Sequence, residues 1–388
     1  MSGGAPVLTL SGAQTWKTGA WENIDAGIPR SGVVAVQVQG AATLTVEEPV
    51  ALTTLSIAGR EDGASLQVAE GSLSARQTMV VNCEVTAQVG TYGAVTLMNG
   101  GALLFTQDGQ FTSLGTGGTV GLSVPSGEAL TLGNITTTKA ESTATRLLLR
   151  SGTFRKAGAG DVTLQAYNVA DAANQSIEVT GGTLTFFEQG GLGTNTTMKR
   201  DRHIFKSLSV ARGCTFTEYA KWGVHFAVSE SLRGEGTIRT QTGSQSGSRK
   251  FFISGDAADF TGALDFVWTS LVFEEGSSGQ FGGSVRLESG NRTDVKVVVE
   301  RAAGVSVAGD VTLGAGVGLD LSAGGALTVG GRFALGGTTP VALPADASAG
   351  MVLVELTRGV ASDEVAALFS VTGFRVEAVG NLYRLAAD

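Results

Sequence analysis

The chain has 388 residues, of which 42% are hydrophobic and only 16% charged, with 57 glycines and 6 prolines. The hydrophobic share excludes a disordered low-complexity chain, and the shortage of Glu, Lys and Arg excludes long exposed helices. A formal net charge of −8 argues against nucleic acid as the main partner, since phosphate binding needs a positive field.

Short apolar runs, each ending at Gly, Asn, Asp or Ser, predict strands along most of the chain. In chain order these runs occupy residues 33–59, 65–75, 94–111, 119–135, 176–191, 284–337 and 374–385. One stretch favours a helix: SDEVAALF (362–369), in which Ser362 is a candidate N-cap followed by two acids. No apolar run is long enough for a membrane-spanning helix.

A diverged repeat of roughly 20 to 25 residues runs through these strands. Its recurring phrase appears as GGALLF (100–105), GGTLTF (181–186), GGSVRL (282–287) and GGALTV (324–329). A repeat of strands and turns without helices is typical of a β-solenoid, in which glycines form the corners and apolar side chains fill the coils. The alternative is a string of β-sandwich domains, but the four tryptophans follow no domain-like pattern.

We therefore predict an all-β chain, a single elongated β-solenoid with capped ends, for which a right-handed parallel β-helix is the expected form. The predicted divisions are an N-terminal cap over residues 1–32, a solenoid over 33–340 and a C-terminal cap over 341–388. The C-terminal cap would cover the open edge of the last coil. The start of the chain, MSGGAPVLTLSG, shows no signal peptide, so we expect a mature or trimmed product or a cytoplasmic chain.

The segment GTFRKAGAGDVTLQAYNVADAANQSIEVTGGTLTF (152–186) resembles the passenger-associated transport repeat, also called the autotransporter-associated β-strand repeat. Val162 stands where the family has leucine, and ADAANQS replaces the usual Thr-Gly-Gly. A second, looser copy is expected near 232–276. The residues that match the family phrase are Lys156, Gly158, Gly160, Leu164, Gly182 and Leu184.

The resemblance implies a bacterial surface or secreted passenger rod, structural or adhesive, that presents or binds a ligand. The family carries no shared catalytic residues, so the expectation is no enzyme, no cofactor and an extracellular or cell-surface location. Glycans or surface proteins of a host or the environment are the expected partners. Two alternatives stay open: a β-helix carbohydrate-active enzyme, either a polysaccharide lyase or a glycoside hydrolase, and a self-assembling coat or filament subunit.

One basic segment, MKRDRHIFKSLSVARG (198–213), stands out in the acidic chain and is followed by aromatic residues. Cations beside aromatic rings could bind an anionic sugar by stacking and charge-assisted hydrogen bonds. The competing interpretation is a solvated loop inserted between coils. The candidate ligand-binding residues are Lys199, Arg200, Arg202, Lys206, Tyr219 and Trp222.

Other chemistry has weaker support in the sequence. Asp256, Asp259 and Asp265 cluster with two following glutamates, as a glycosidase would need, but we expect the first two to organise a turn. His225 lies among apolar residues and is expected to be structural. Asp320 stands in an imperfect single copy of a calcium-binding repeat, so no metal site is predicted.

The two cysteines, Cys83 and Cys214, lie far apart in the sequence and form no metal-ligand spacing. They admit a disulfide or two separate buried thiols.

Overall fold

The protein is described by a computed structural model over residues 7–16, 33–46, 50–69, 73–87, 92–98, 102–105, 109–117, 120–123, 129–132, 147–149, 152–165, 175–188, 202–222, 225–246, 249–290 and 292–387. The chain divides into two compact units, Met1–Gln189 and Gly190–Asp388. Among the helices of these ranges, none is long and apolar enough to cross a membrane.

The described part of the first unit consists of strands. They are β1 Val7–Trp16, β2 Val33–Val46, β3 Val50–Gly59, β4 Ser65–Ala69, β5 Leu73–Val81, β6 Glu84–Ala87, β7 Tyr92–Met98, β8 Ala102–Phe105, β9 Gly109–Gly117, β10 Val120–Ser123, β11 Ala129–Leu132, β12 Leu147–Leu149, β13 Gly152–Ala157, β14 Asp161–Gln165, β15 Gln175–Val179 and β16 Thr183–Glu188.

These strands stack in parallel. One ladder runs β1–β2–β3–β5–β7–β9, and a second runs β2–β4–β6–β8–β10–β13–β15. Strand β2 belongs to both because it bends at Gly40, whose φ of +62° is open to glycine at no steric cost. The first unit is therefore a parallel β-solenoid, as the repeat predicted.

The second unit adds twenty strands and one short helix. They are β17 Arg202–Val210, β18 Thr215–Trp222, β19 His225–Gly234, β20 Thr237–Ser246, β21 Arg249–Ile253, β22 Ala263–Val267, β23 Thr269–Phe273, β24 Gln280–Phe281, β25 Ser284–Glu288, β26 Lys296–Val299, β27 Val305–Val307, β28 Val311–Leu313, β29 Gly318–Asp320, β30 Leu327–Val329, β31 Phe333–Leu335, β32 Thr339–Ala342, β33 Val352–Leu356, α1 Asp363–Ala366, β34 Phe369–Ser370, β35 Phe374–Val379 and β36 Leu382–Ala387.

The strands of the second unit form three parallel ladders, and the coils from β23 to β31 contribute one strand to each. Ladder 1 is β17–β19–β21–β23–β26–β29–β32–β34, ladder 2 is β24–β27–β30–β33, and ladder 3 is β18–β20–β22–β25–β28–β31. Partner residues are 20 to 30 positions apart, from Phe251–Leu271 to Thr339–Phe369. The all-β solenoid is confirmed, whereas its handedness stays a prediction.

The interior of the second unit is built from columns of aligned apolar side chains. On ladder 1, Phe226, Phe251 and Leu271 stand in register and are at most 1% exposed. Phe251 stacks on Phe226 with ring centroids 6.2 Å apart and contacts Phe266 of ladder 3 at 5.2 Å. These aligned side chains therefore point into the core between the ladders.

The parallel stack ends in an antiparallel hairpin. Strand β36 pairs antiparallel with β33, the last rung of ladder 2, and β35 pairs antiparallel with β36. The predicted short helix precedes them: Ser362 is the N-cap of α1, and its hydroxyl accepts a hydrogen bond from the Val365 N–H at 3.3 Å. This prediction is confirmed.

We expect Phe251→Ala to lower the free energy of unfolding of the second unit by about 3–5 kcal/mol, because it removes a fully buried ring from the column. Urea denaturation followed by circular dichroism measures the loss. The control Val360→Ala changes a side chain that is 77% exposed and should shift stability by less than about 0.5 kcal/mol. Equal effects of the two substitutions would contradict the inward assignment of Phe251.

Candidate functional site

The lysine of the repeat phrase lies inside the first unit. Lys156, on β13, is completely buried, and its Nζ donates hydrogen bonds to the carbonyl oxygens of Gly158 at 2.7 Å, Gly181 at 2.5 Å and Gly160. Gly158 and Gly160 belong to its own coil, whereas Gly181 belongs to the next. The ammonium group therefore joins two successive corners by satisfying carbonyl groups that the turn leaves out of the ladders.

The glycines of the phrase are required at these corners. Gly158 has a φ of +72° and Gly182 a φ of +53°, which side chains with a Cβ adopt only at a cost. At Gly181 a Cβ would run into the carbonyl of Gly158 on the coil below. The phrase therefore supplies the residues that allow two successive corners to stack around a buried cation.

An aspartate also joins neighbouring corners, and it does so in both units. Asp161 Oδ1 accepts a hydrogen bond from the Thr183 N–H at 3.1 Å, and Asp310 Oδ1 accepts one from the Arg332 N–H at 2.7 Å. Both aspartates stand in the same letters, GDVTL, at 160–164 and 309–313. The sequence-based prediction placed a second copy near 232–276 and did not single out this one, although the shared letters could have found it.

Part of the basic segment is a strand. Lys199 and Arg200 lie outside the described residues, but Arg202 begins β17, and residues 202–210 are a rung of ladder 1. The interpretation of this stretch as an inserted loop is therefore wrong from Arg202 onwards. Lys206 sits at the register shift between Phe205 and Ser207, where its Nζ lies 3.6 Å from Glu230 Oε2.

The predicted aromatic residues lie on ladder 3. Tyr219 and Trp222 belong to β18, and their backbone partners are Gln241 and Ser246 of β20. Because β18 ends at Trp222 and β19 begins at His225, the backbone partner of Arg202, Arg202 and Trp222 flank one corner of the stack. Lys206 lies elsewhere, at the register shift inside β17.

The acidic candidates are engaged in structural contacts. Asp256 Oδ1 accepts a hydrogen bond from the Ala258 N–H at 3.1 Å, as expected of a turn-forming aspartate. That bond, with one from Ser278, holds the pKa of Asp256 below its ordinary value. Asp265 lies 3.5 Å from Arg239 and 3.9 Å from Arg286, which belong to the coils on either side.

The remaining predicted residues have structural surroundings too. The His225 ring packs edge-on against Phe252 with centroids 5.7 Å apart. Asp320 ends β29, and its carboxylate is 2.6 Å from Lys296 Nζ. Partial burial raises the pKa of Asp320, but hydrogen bonds from Lys296 and Ser322 outweigh it and leave that pKa below its ordinary value. Cys83 and Cys214 are buried thiols.

An interior acid escaped the sequence-based prediction. Glu218 is 3% exposed and follows Phe216 by two positions on β18, so both side chains point into the core. Its backbone partner is Thr240, and within the described residues its Oε1 has no hydrogen-bond partner. Burial raises the pKa of Glu218 to about 7, and the positive charge of the buried Arg249 acts against that rise. The alternation Phe216-x-Glu218 was the available signal.

This acid cannot act on an external substrate, although a carboxyl group that titrates near neutral pH suits acid–base chemistry. A polysaccharide could not reach a side chain enclosed by the coil, and hydrogen-bond reach is a requirement for proton transfer. Among the described residues no group of three or more His, Cys, Asp or Glu side chains could hold a metal ion.

Comparison of the chain with family models, with curated proteins and with solved structures gives no match. The functional argument therefore depends on the geometry of this chain and on the resemblance of residues 152–186.

We expect Lys156→Met to cost about 2–4 kcal/mol of unfolding free energy, because it leaves the carbonyl groups of Gly158, Gly160 and Gly181 without this donor. The matched control is Arg155→Met on the same strand. The Arg155 side chain is 51% exposed and its ion pair with Glu178 is worth at most about 1 kcal/mol. Urea denaturation followed by circular dichroism compares them; a similar loss in both variants would refute the corner role of Lys156.

The stability of the second unit should fall as pH rises through neutrality. Folded Glu218, with a pKa of about 7, holds its proton more tightly than the unfolded group at 4.5, so the unfolding free energy decreases between these two pH values. The decrease should amount to about 3 kcal/mol and should disappear in Glu218→Gln.

Urea denaturation at pH 5, 6, 7 and 8 tests the role of Glu218. Glu230→Gln, which changes an exposed acid on the neighbouring strand β19, should keep the pH profile of the parent chain. If Glu218→Gln also kept that profile, the interior placement of the carboxyl group would be wrong.

Proposed function

We propose that this chain is a non-enzymatic passenger rod of the bacterial surface or of secreted material, with a structural or adhesive role. It would act as a stalk that presents a ligand or binds one, glycans among them. The proposal rests on the solenoid fold together with the likeness of residues 152–186 to the passenger-associated transport repeat.

The observation that carries the proposal is how the outward-facing charged side chains are paired. In the described part of both units, several charged side chains pair with partners on the neighbouring coil. Arg155 Nε is 2.8 Å from Glu178 Oε2, Arg212 is bound to Glu235, and Lys296 is bound to Asp320. Surface pairs of this kind contribute little to stability, but they occupy the carboxylates that hydrolytic chemistry would need.

The same contacts weigh against the carbohydrate-active enzyme. A glycosidase needs one carboxyl group with a raised pKa, placed beside a second carboxylate within reach of a sugar. Asp256 has a lowered pKa, Asp265 lies between two arginines, and Glu218 is enclosed in the core. A role in support or attachment asks only for length, rigidity and an exposed recognition surface.

For an adhesive role, the corner that contains Arg202 and Trp222 is the proposed contact surface. Lys199 and Arg200 precede this corner in the sequence, so cations and an indole would be available close together. Such a set suits an anionic sugar, whose carboxylate or sulfate takes charge-assisted hydrogen bonds while a ring packs on the aromatic face.

We expect the purified chain to bind acidic glycans selectively on an array at micromolar concentration, and to release no reducing ends from them. Combined substitution of Lys199, Arg200, Arg202 and Trp222 by alanine should abolish binding, because it removes both the cations and the stacking ring. Changing Arg332 and Arg358, two exposed arginines of the second unit, to alanine is the matched control and should leave binding unchanged.

Two outcomes would count against the adhesive role. Absence of binding by the parent chain would leave a spacer as the better account, and turnover of a bound glycan would restore the enzyme. Protease treatment of intact source cells tests location separately, since a surface protein is cleaved while cytoplasmic proteins stay whole.

A further inference from the structure

The sheet that contains ladder 2 ends at β35, and this strand has an open edge. Strand β35 pairs with β36 on one side, and within residues 292–387, all of which are described, no strand pairs with its other side. Helix α1 and β34 lie near β35, but the backbone hydrogen bonds between these elements and others do not include the residues Phe374–Val379. An unpaired row of N–H and C=O groups is a template for another strand.

The hairpin geometry shows which groups face outwards. Gly380, with a φ of +63°, and Asn381 form the two-residue turn between Val379 and Leu382. In such a hairpin the residues next to the turn exchange hydrogen bonds, and the pattern then repeats at every second residue. Val379, Glu377 and Arg375 therefore bond to β36, and the backbone groups of Phe374, Val376 and Ala378 point to the open side.

Two of the usual protections of an edge are missing from β35. It contains no proline, and its register with β36 runs without a shift, so it has no bulge. Val376 and Ala378 share a face with the buried Leu385 and Tyr383 of β36, so they point inwards. Both of these inward positions of β35 are apolar. Its two charged residues, Arg375 and Glu377, stand on the opposite, outer face, where they do not obstruct a docking strand.

These charges make the edge complementary to itself. If two copies of β35 pair antiparallel with Val376 opposite Val376, Arg375 of each copy faces Glu377 of the other, and Phe374 faces Ala378. The outward groups of Val376 make this a hydrogen-bonded pair, so the flanking charged pairs are of the close, non-hydrogen-bonded kind. Glu377 Oε1 already lies 2.7 Å from Arg384 Nε, and an incoming Arg375 would extend this pair into a three-charge network.

We propose that two copies of this chain associate through antiparallel pairing of their β35 strands about Val376, joining their ladder 2 sheets into one. The pairing uses the same edge of both copies, so it closes at the dimer and does not propagate into a filament. The inference does not depend on the proposed surface or adhesive role, since it follows from the edge alone.

Sedimentation velocity of the purified full chain, from about 1 µM to 1 mM, tests this inference. The parent chain should pass from monomer to dimer as its concentration rises, and Arg375→Glu should weaken the dimer at least about tenfold by placing two glutamates opposite each other in both flanking pairs. Glu377→Arg should weaken it as well. An equimolar mixture of these two variants should recover the dimer, because each mismatched charge then meets its opposite in the other chain.

Two controls separate pairing from misfolding. Arg358→Glu makes the same charge change at an exposed residue outside β35 and should leave the dimer as strong as in the parent chain. Ala378→Pro removes an outward N–H that the hairpin does not use, so it should block the dimer while thermal unfolding of the monomer keeps its midpoint within a few degrees.

Three results would overturn the inference. They are a parent chain that stays monomeric throughout the concentration range, a dimer that Arg375→Glu does not weaken, and growth into species larger than the dimer. The mixture result is specific to this register, because only opposed charges at positions 375 and 377 allow two defective variants to repair each other.

Discussion

The parallel backbone ladder between successive coils is the constraint on which the rest of this structure depends. Once each strand is hydrogen-bonded to the strand one coil away, equivalent residues must superpose, so every inward position becomes part of a column. Phe226, Phe251 and Leu271 form such a column, and the corners must superpose as well. Residues at corners cannot all pair in the ladder, so their remaining backbone N–H and C=O groups require other partners.

The corners meet this requirement with glycine and with polar side chains. Glycines allow left-handed turns and close contact between coils, while Lys156 and Arg301 donate hydrogen bonds to carbonyl groups of adjacent coils. Asp161 and Asp310 do the reverse and accept hydrogen bonds from backbone N–H groups one coil away. The polar residues of the repeat are therefore part of the stacking mechanism, and this explains how a phrase with few large side chains can specify a fold.

These contacts between coils also bear on function. Several charged side chains pair across coils, and Glu218, whose pKa burial raises to about 7, is enclosed in the core. In our two proposals, recognition takes place at a corner and at an end of the stack. The basic corner at Arg202 and Trp222 and the open edge of β35 are these two places, and they would serve different partners.

The sequence by itself determined the fold class, the glycine corners and the short helix at Ser362, because these depend on local periodicity and on conformations that few residue types adopt. Only the tertiary structure decided which residues meet between coils, since that depends on a register that varies with the length of the corners and spans 20 to 30 positions in the second unit. The burial of Lys156, the corner contact of Asp310 and the enclosure of Glu218 all follow from that register. The ligand-binding role of the basic segment stays a prediction, because the stacking of coils fixes backbone positions but does not determine which ligand the surface binds.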